Sequence, residues 1–233
     1  MATTFKNLVS GKDIAVTRTL LNEAIPLTGS IVSGTYNEEN IKDYAHGMFQ
    51  SVYDYPYLSS SANHIFDLTV GYNKSGSFTQ NAKKMNIYSQ MAQVLVGYDE
   101  NGNIRDFDRD GNFSYSGDKL NECIFINFSR LLGKDEIKRQ SFTIQFATGG
   151  TPAAPDFTSL KTISDYNAQA DYRTNSPAGE YGFLYTSSLN ITTSSAVGLL
   201  YYQAGIAVLT ASIFDGEFGD CLLYTSPSPR DLL

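Results

Sequence analysis

Tryptophan is absent from this chain, and cysteine and histidine each occur only twice in 233 residues. Cys123 lies in an apolar run and Cys221 lies near the C-terminus, so the chain has too few ligands for a disulfide framework or a Cys and His zinc site. We therefore expect no such metal site and no cofactor. The two histidines, His46 and His64, are expected to be packed or hydrogen-bonded structural residues.

Charged residues are also scarce, at 18% of the chain, and acidic residues predominate. The 17 Lys and Arg residues against 24 Asp and Glu residues give a formal charge of -7. Without a basic surface to attract phosphates, nucleic-acid binding is not expected. Hydrophobic residues reach 42%, which is enough for a folded core, and the frequent Tyr and Phe residues favour strands.

Recognisable catalytic and targeting motifs are missing as well. The sequence has no Gly-rich phosphate loop ending in Gly-Lys-Ser or Gly-Lys-Thr, no G-x-S-x-G and no H-E-x-x-H. Met1 to Leu20 lacks the charged start and apolar centre of a secretory signal peptide, so secretion by that route is not expected. We expect a protein that is not an enzyme.

An uncharged stretch, Leu189 to Phe214, requires comparison with a membrane span, which needs about 20 mostly apolar residues. The polar run Thr192 to Ser195 and the central Gln203 interrupt it, and the nearest charges that follow are acidic. We therefore expect no association with a membrane. The stretch instead predicts two buried strands, VGLLYYQ and GIAVLTASIF, which bend or separate near Gly205.

Hydrophobic periodicity predicts two principal helices. The first covers Asn37 to Tyr53, where Asn37 is the N-cap, two glutamates follow in the first turn and Pro56 ends the helix. The second covers Thr79 to Val96. Its apolar stripe consists of Met85, Tyr88, Ala92, Leu95 and Val96.

Strands are predicted at Ile65 to Tyr72, Cys123 to Phe128, Phe142 to Phe146 and Tyr181 to Tyr185. The Gly-containing pieces DENGN and DRDGN are predicted to be hairpin tips or exposed loops, and Gly149 to Asn175 a long surface loop or insertion. These elements together predict an α+β fold with mainly antiparallel strands and two principal helices.

We interpret residues 1–220 as a single α+β domain that is truncated at its C-terminus. The final segment, Cys221 to Leu233, reads CLLYTSPSPRDLL and resembles the translation of a sequencing adapter. It suits neither helix nor strand, and we interpret it as a disordered, adapter-derived tail. A natural disordered tail is the alternative, because its prolines and serines would also be unstructured.

The acidic loop around Asp106, Asp108 and Asp110 is a weak candidate for a calcium site. The spacing D-x-D-x-D-G opens a calcium-binding loop that places alternate carboxylates on one ion. Position twelve of such a loop is Gly117 instead of the closing Glu, so the full helix-loop-helix site is excluded. We expect weak or no calcium binding, and solvated carboxylates in an exposed turn are the simpler interpretation.

Five segments carry a resemblance to a known class of proteins: NHIFDLTVGY, KKMNIYSQMAQVLVGYDENGNIRDFD, IFINFSRLLGKDEIK, TNSPAGEYGFLY and VGLLYYQAGIAVLTASIF. They resemble the uncharacterised virion structural proteins of T-even-type contractile-tailed phages that infect marine bacteria and cyanobacteria. The likeness spans nearly the whole chain to Phe214, and none of the segments is a catalytic signature. It implies a structural role in the virion, for which the tail or baseplate is the suggested place and the exact position stays open, with assembly in the host cytoplasm onto other phage structural proteins or further copies of itself.

The residues by themselves leave other functions open. A weakly charged, Tyr-rich protein suits assembly into a larger particle, because Tyr provides a large contact area. A carbohydrate- or receptor-binding module would stack exposed tyrosines such as Tyr53, Tyr55 and Tyr57 on sugar rings. A surface-polymer hydrolase would need two carboxylates in a cleft, and Asp106, Asp108 and Asp110 form the only dense acidic group.

Overall fold

A computed structural model describes residues 38–76, 81–113, 118–129, 135–151, 154–189 and 191–214. The predicted cap Asn37 and the tail Cys221 to Leu233 lie outside the described residues. The strands are β1 (Ile41–Asp43), β2 (Gln50–Tyr53), β3 (His64–Tyr72), β4 (Glu122–Phe128), β5 (Thr143–Thr151), β6 (Ala154–Ser164), β7 (Tyr172–Ser176), β8 (Gly179–Leu184), β9 (Gly198–Tyr201) and β10 (Ile206–Thr210). The helix α1 covers Ala82–Leu95, and short 3₁₀ helices cover Glu38–Asn40, Thr193–Ser195 and Ala211–Phe214.

The predicted α+β class with two principal helices is wrong. The described part of the chain is mainly antiparallel β-sheet with a single α-helix. Where the first helix was predicted, β1 and β2 form a hairpin that pairs Ile41 with Val52. Gly47 adopts a φ of 63° in its turn. A glycine costs a helix interior about 1 kcal/mol and is favoured at this left-handed position, so the hairpin is the better local solution.

The second helix is present as α1, slightly shorter than predicted. Asn81 caps it, because its side chain accepts hydrogen bonds from the backbone N–H groups of Lys83 and Lys84. The buried side of α1 includes Tyr88, Ala92 and Leu95 of the predicted stripe, and also Lys84 and Ile87. This side of the helix covers part of the large sheet.

The large sheet has eight antiparallel strands in the order β1-β2-β3-β4-β10-β9-β8-β7. Side chains alternate between its two faces. The helix face carries Phe125, Leu199, Tyr201 and Val208, which pack with α1 and with Phe107 and Leu120. The opposite face carries Ile126, Leu184, Leu200 and Leu209, which pack with Phe142 and Ile163.

The uncharged stretch Leu189 to Phe214 supplies β9 and β10, at the centre of this sheet. Every residue of β9 is buried, and so are four of the five residues of β10. The chain turns between them at Gly205, whose φ is 68°, close to the predicted bend. Because β9 and β10 are buried on both faces of the sheet, charged side chains are absent from the stretch that forms them. No α-helix among the described residues is long and apolar enough to cross a membrane.

The second sheet is a two-stranded ribbon of β5 and β6. The prediction of a long loop from Gly149 to Asn175 is wrong, because this region contains the end of β5, all of β6 and part of β7. Pro155 pairs with Gly150 inside the ribbon. A proline is tolerated there because each strand of a two-stranded ribbon has one free edge, which needs no N–H donor.

Candidate functional site

The acidic loop does not gather its three aspartates around one point. Asp108 is fully buried, and its carboxylate accepts a hydrogen bond from the ammonium group of Lys119. Burial raises the pKa of Asp108, while Lys119 acts in the opposite direction. The carboxyl group of Asp110 interacts with that of Asp108 and also accepts hydrogen bonds from the backbone and side chain of Asn112.

Asp106 lies in a different setting, on the wall of a cleft of about 910 Å³. No group of three or more His, Cys, Asp or Glu residues in the described part of the chain is arranged to hold a metal ion. Weak or absent calcium binding therefore stays a prediction, which titration calorimetry of the protein and its Asp108→Ala variant would test.

The same cleft has a mixed electrostatic character. Among its described lining residues, four are basic and four are acidic: Lys74, Arg105, Arg109 and Lys119, and Asp99, Glu100, Asp106 and Asp118. The Nε atom of Arg109 is buried and has no hydrogen-bond partner among the described residues. A surface with balanced charge gives no field that selects an anionic or a cationic ligand.

A polar cluster occupies the helix face at the β1 to β3 end of the sheet. The Oγ atom of Ser51 donates to Oδ1 of Asp67 at 2.5 Å, and Nε2 of His64 lies 2.8 Å from the same oxygen. The Tyr44 hydroxyl lies 3.2 Å from Oγ of Ser51. The ring of Tyr53 packs at 5.5 Å from that of His64.

A β-bulge brings His64 into this cluster. The pairing of β2 with β3 shifts between Val52 and Tyr53, so that Tyr53 pairs with His64 and Val52 with Phe66. Residues 64 and 67 would lie on opposite faces of a regular strand, because side chains alternate with a period of two. The extra residue in the bulge places His64 on the same face as Asp67.

The order of contacts in the cluster differs from that of a hydrolase triad. In a triad the histidine lies between the serine and the aspartate, so that the imidazole removes the serine proton. Here Asp67 lies between Ser51 and His64. His46 is exposed, stacks on Tyr44 and accepts a hydrogen bond from the backbone of Met48. Both histidines therefore have structural contacts.

Next to this cluster, a groove of about 380 Å³ separates α1 from the β1–β2 turn; we call it the sheet groove. Its floor consists of Asp67, Thr69, Phe125 and Asn127, one wall of Ile87, Gln90 and Met91, and the other wall of His46, Met48 and Phe49. The register places Ser51, Asp67 and Asn127 side by side on β2, β3 and β4. The groove thus combines an apolar lining with a polar floor.

Sequence reasoning missed the groove, although one residue carried a signal. Asn127 is the polar residue in the apolar strand CIFINF. Of the three tyrosines expected to stack on sugars, Tyr55 and Tyr57 are exposed on the loop after β2, whereas Tyr53 is half-buried in the polar cluster. Gln90 and Thr69 belong to segments whose sequence pattern predicted only a helix and a strand. Nothing in the sequence indicated that these two residues lie close to Asn127.

Comparison with known proteins identifies no relative from which a function could be transferred. No protein-family model matches the chain, no curated protein matches it, and no solved structure matches it.

Proposed function

We propose that this chain is a non-catalytic building block of a phage virion, in the tail or baseplate, that acts by docking onto other particle proteins or further copies of itself. The resemblance of its segments to virion structural proteins supports the role in a particle. The β5–β6 ribbon, which forms a sheet of its own, is the structural observation that carries the role in docking.

One end of the ribbon, its base, packs against the rest of the molecule. There, Ile144, Phe146 and Ile163 pack against the sheet. Towards the tip, the pairing continues as far as Thr151 with Ala154, while Thr158, Ser159 and Leu160 are exposed. The four residues 148–151 span about 13 Å at the rise of a β-strand.

A ribbon of this kind is an incomplete sheet. In the described part of the chain, β5 and β6 pair with each other, and apart from the bridge between Ser164 and Tyr185 at the end of β6 they pair with no further strand. Two-stranded ribbons are marginally stable in water, and their free edges are templates for pairing with another chain. Addition of a strand from a neighbouring protein would satisfy these backbone groups and give main-chain affinity.

The polar cluster supports a non-catalytic role. Here the serine donates directly to a carboxylate and the histidine lies on the far side, so the serine has no adjacent imidazole like that of a Ser-His-Asp triad. The buried carboxylate of Asp108, in the acidic loop, forms an ion pair with Lys119.

Mass spectrometry of purified virions from the encoding phage tests the proposal. We expect peptides from this chain at many copies per particle. Absence of the protein from virions, or degradation of polysaccharide or peptidoglycan by the purified chain, would contradict it.

A matched pair of variants tests the ribbon. We expect Thr158→Lys, at the exposed part of β6, to reduce incorporation into virions, because a lysine on an edge strand opposes pairing with another chain. Asn101→Lys adds the same charge at the exposed tip of the Tyr98 to Ile104 hairpin and should leave incorporation unchanged. If both variants are incorporated into virions equally well, the ribbon is not part of the docking surface.

A further inference from the structure

We propose that the sheet groove binds a neutral saccharide, with one sugar ring between α1 and the β1–β2 turn. The inference concerns a different surface from the ribbon and does not rest on the role in the virion. It follows from three properties of the groove: unused hydrogen-bonding groups, an apolar wall and the lack of Lys and Arg among the described lining residues.

The unused groups include both donors and acceptors. Asn127 and Gln90 are exposed, and neither side-chain amide bonds to any residue of the described chain. Ser51 and His64 both bond to Oδ1 of Asp67, which leaves Oδ2 of that carboxylate for a ligand. Amides donate and accept, while a carboxylate accepts, so the set matches neighbouring hydroxyl groups, which do both.

The position of Asn127 is unusual for its strand. β4 is a central strand of the sheet, and the five other residues from Cys123 to Phe128 are buried, whereas Asn127 is exposed. Its side chain lies on the same face as Phe125, two residues earlier, which is buried under α1. The sheet face is therefore left open at this point, with an amide at its centre.

The apolar wall suits the other side of a sugar ring. Phe49, Met48 and Met91 line the groove, and the rings of His46 and Phe49 lie 5.0 Å apart. A pyranose has a C–H face that packs on aromatic and apolar side chains, and an edge of hydroxyl groups that needs polar partners. The volume of about 380 Å³ is at the lower end of the range for small-molecule sites.

Charge excludes the main competing ligands. The lining includes Asp67 and no Lys or Arg among its described residues, so phosphate and other anions would meet a carboxylate without a compensating cation. A cationic side chain from a partner would need acceptors only, and it would leave the donor groups of Asn127 and Gln90 unused. A neutral polyhydroxylated ring uses the whole set.

Saturation-transfer difference NMR on the full chain tests the proposal, with glucose, galactose, mannose and N-acetylglucosamine as the probes. We expect saturation transfer to at least one of these sugars, and shifts of the side-chain amide signals of Asn127 and Gln90. Replacing Asn127 with Ala removes a direct hydrogen-bonding partner and should weaken binding by about tenfold or more. Phe49→Ala should weaken it by removing the stacking wall.

Two control variants distinguish the groove from other surfaces. Asn86→Ala changes the same residue type at an exposed position of α1 outside the groove, and should leave binding unchanged. Tyr55→Ala removes an exposed aromatic ring from the loop after β2 and should also leave it unchanged. The dispersion of the amide spectrum shows whether each variant remains folded.

Three results would overturn the proposal. They are no saturation transfer to any of the four sugars, loss of binding in Tyr55→Ala with full binding in Asn127→Ala, and shifts of the groove residues by an arginine-rich peptide but by no sugar. None of these results bears on the presence of the protein in virions, so failure of the saccharide site and failure of the structural role are separate outcomes.

Discussion

Asp165 is a buried carboxylate that joins three parts of the chain. It accepts hydrogen bonds from the backbone N–H groups of Gln140 and Phe142, at 2.7 and 3.0 Å, and from the hydroxyl of Tyr202 at 3.1 Å. Burial nevertheless raises its pKa to about 6, because desolvation of the charged form outweighs these three bonds. The segment before β5 is thereby tied to the end of β6.

This raised pKa predicts a pH dependence of stability. A carboxyl whose pKa is higher in the folded than in the unfolded chain binds more protons when folded, so stability falls as pH rises from about 4 to about 6. The expected loss in the free energy of unfolding is of the order of 2–3 kcal/mol. Urea unfolding at several pH values measures it.

The variant Asp165→Asn should lose this slope, because its side chain does not ionise. Glu100→Gln, at an exposed position in the Tyr98 to Ile104 hairpin, should retain the slope of the unaltered protein. The same slope in Asp165→Asn and in the unaltered protein would show that another group is responsible.

Two buried tyrosines on the helix face differ in how their hydroxyl groups are used. The hydroxyl of Tyr181 donates to Oδ1 of Asn175 at 2.8 Å, whereas that of Tyr201 is buried without a hydrogen-bond partner among the described residues. The two rings lie 5.0 Å apart, so both side chains belong to the same part of the core.

We therefore expect opposite effects of removing the two hydroxyls. Tyr201→Phe should leave stability unchanged or raise it by up to about 1 kcal/mol, because it removes an unsatisfied polar group. Tyr181→Phe should cost about 1 kcal/mol, because the hydrogen bond from its hydroxyl to Oδ1 of Asn175 is lost. Thermal and urea unfolding measure the stability of the two variants. If Tyr201→Phe loses more stability than Tyr181→Phe, the hydroxyl of Tyr201 has a hydrogen-bond partner in solution.

At the scale of elements, α1 depends on its N-terminal cap. Besides capping the helix, Asn81 uses its own backbone N–H to bond to the hydroxyl of Tyr72, at the end of β3. The cap therefore sets both the start of the helix and its attachment to the sheet.

Replacing Asn81 with Ala should lower the free energy of unfolding by about 1 kcal/mol, the usual cost of losing an N-cap. Asn86→Ala, at an exposed position within the same helix, should instead raise it by a few tenths, because Ala is the better helix former. Urea unfolding of the two variants gives the comparison. Equal effects would mean that the cap contributes nothing beyond helix propensity.

At the scale of the whole molecule, the two faces of the large sheet are covered differently. The base of the ribbon packs on one face, while α1 lies across the other, from Gly71 of β3 to Ser176 of β7, and leaves the sheet groove open towards the β1–β2 turn. The central strands β9 and β10 are buried in the isolated chain, so their apolar residues form its core.

This arrangement predicts a contrast between two leucines. Leu200 is fully buried in β9, so Leu200→Ala should destabilise the chain by roughly 2–5 kcal/mol. Leu160 is 43% exposed on the ribbon, and Leu160→Ala should change the stability of the isolated chain by less than about 0.5 kcal/mol. Urea unfolding checks both, and similar losses would contradict the assignment of β9 to the core.

The sequence determined those elements whose pattern is set locally or by burial on both sides. The helix α1, the strands β3, β4 and β8 and the bend at Gly205 all follow from runs or periodicities that a short segment contains by itself. The turn DENGN was predicted as a hairpin tip or an exposed loop, and it joins the bridged pair Tyr98 and Ile104. In each case local preference and tertiary packing favour the same conformation.

Other elements were decided by partners that are distant in the sequence. The segment Asn37 to Tyr53 has an apolar spacing that suits a helix, but β3 offers β2 an edge to pair with, and pairing overrides a weak propensity. The sheet groove depends on contacts among β3, β4, α1 and the β1–β2 turn, which lie up to about 80 residues apart. Side-chain alternation shows that Asn127 interrupts an apolar strand, but only the assembled sheet places Asp67 and Gln90 beside it, because register and helix position are set by packing across the whole molecule.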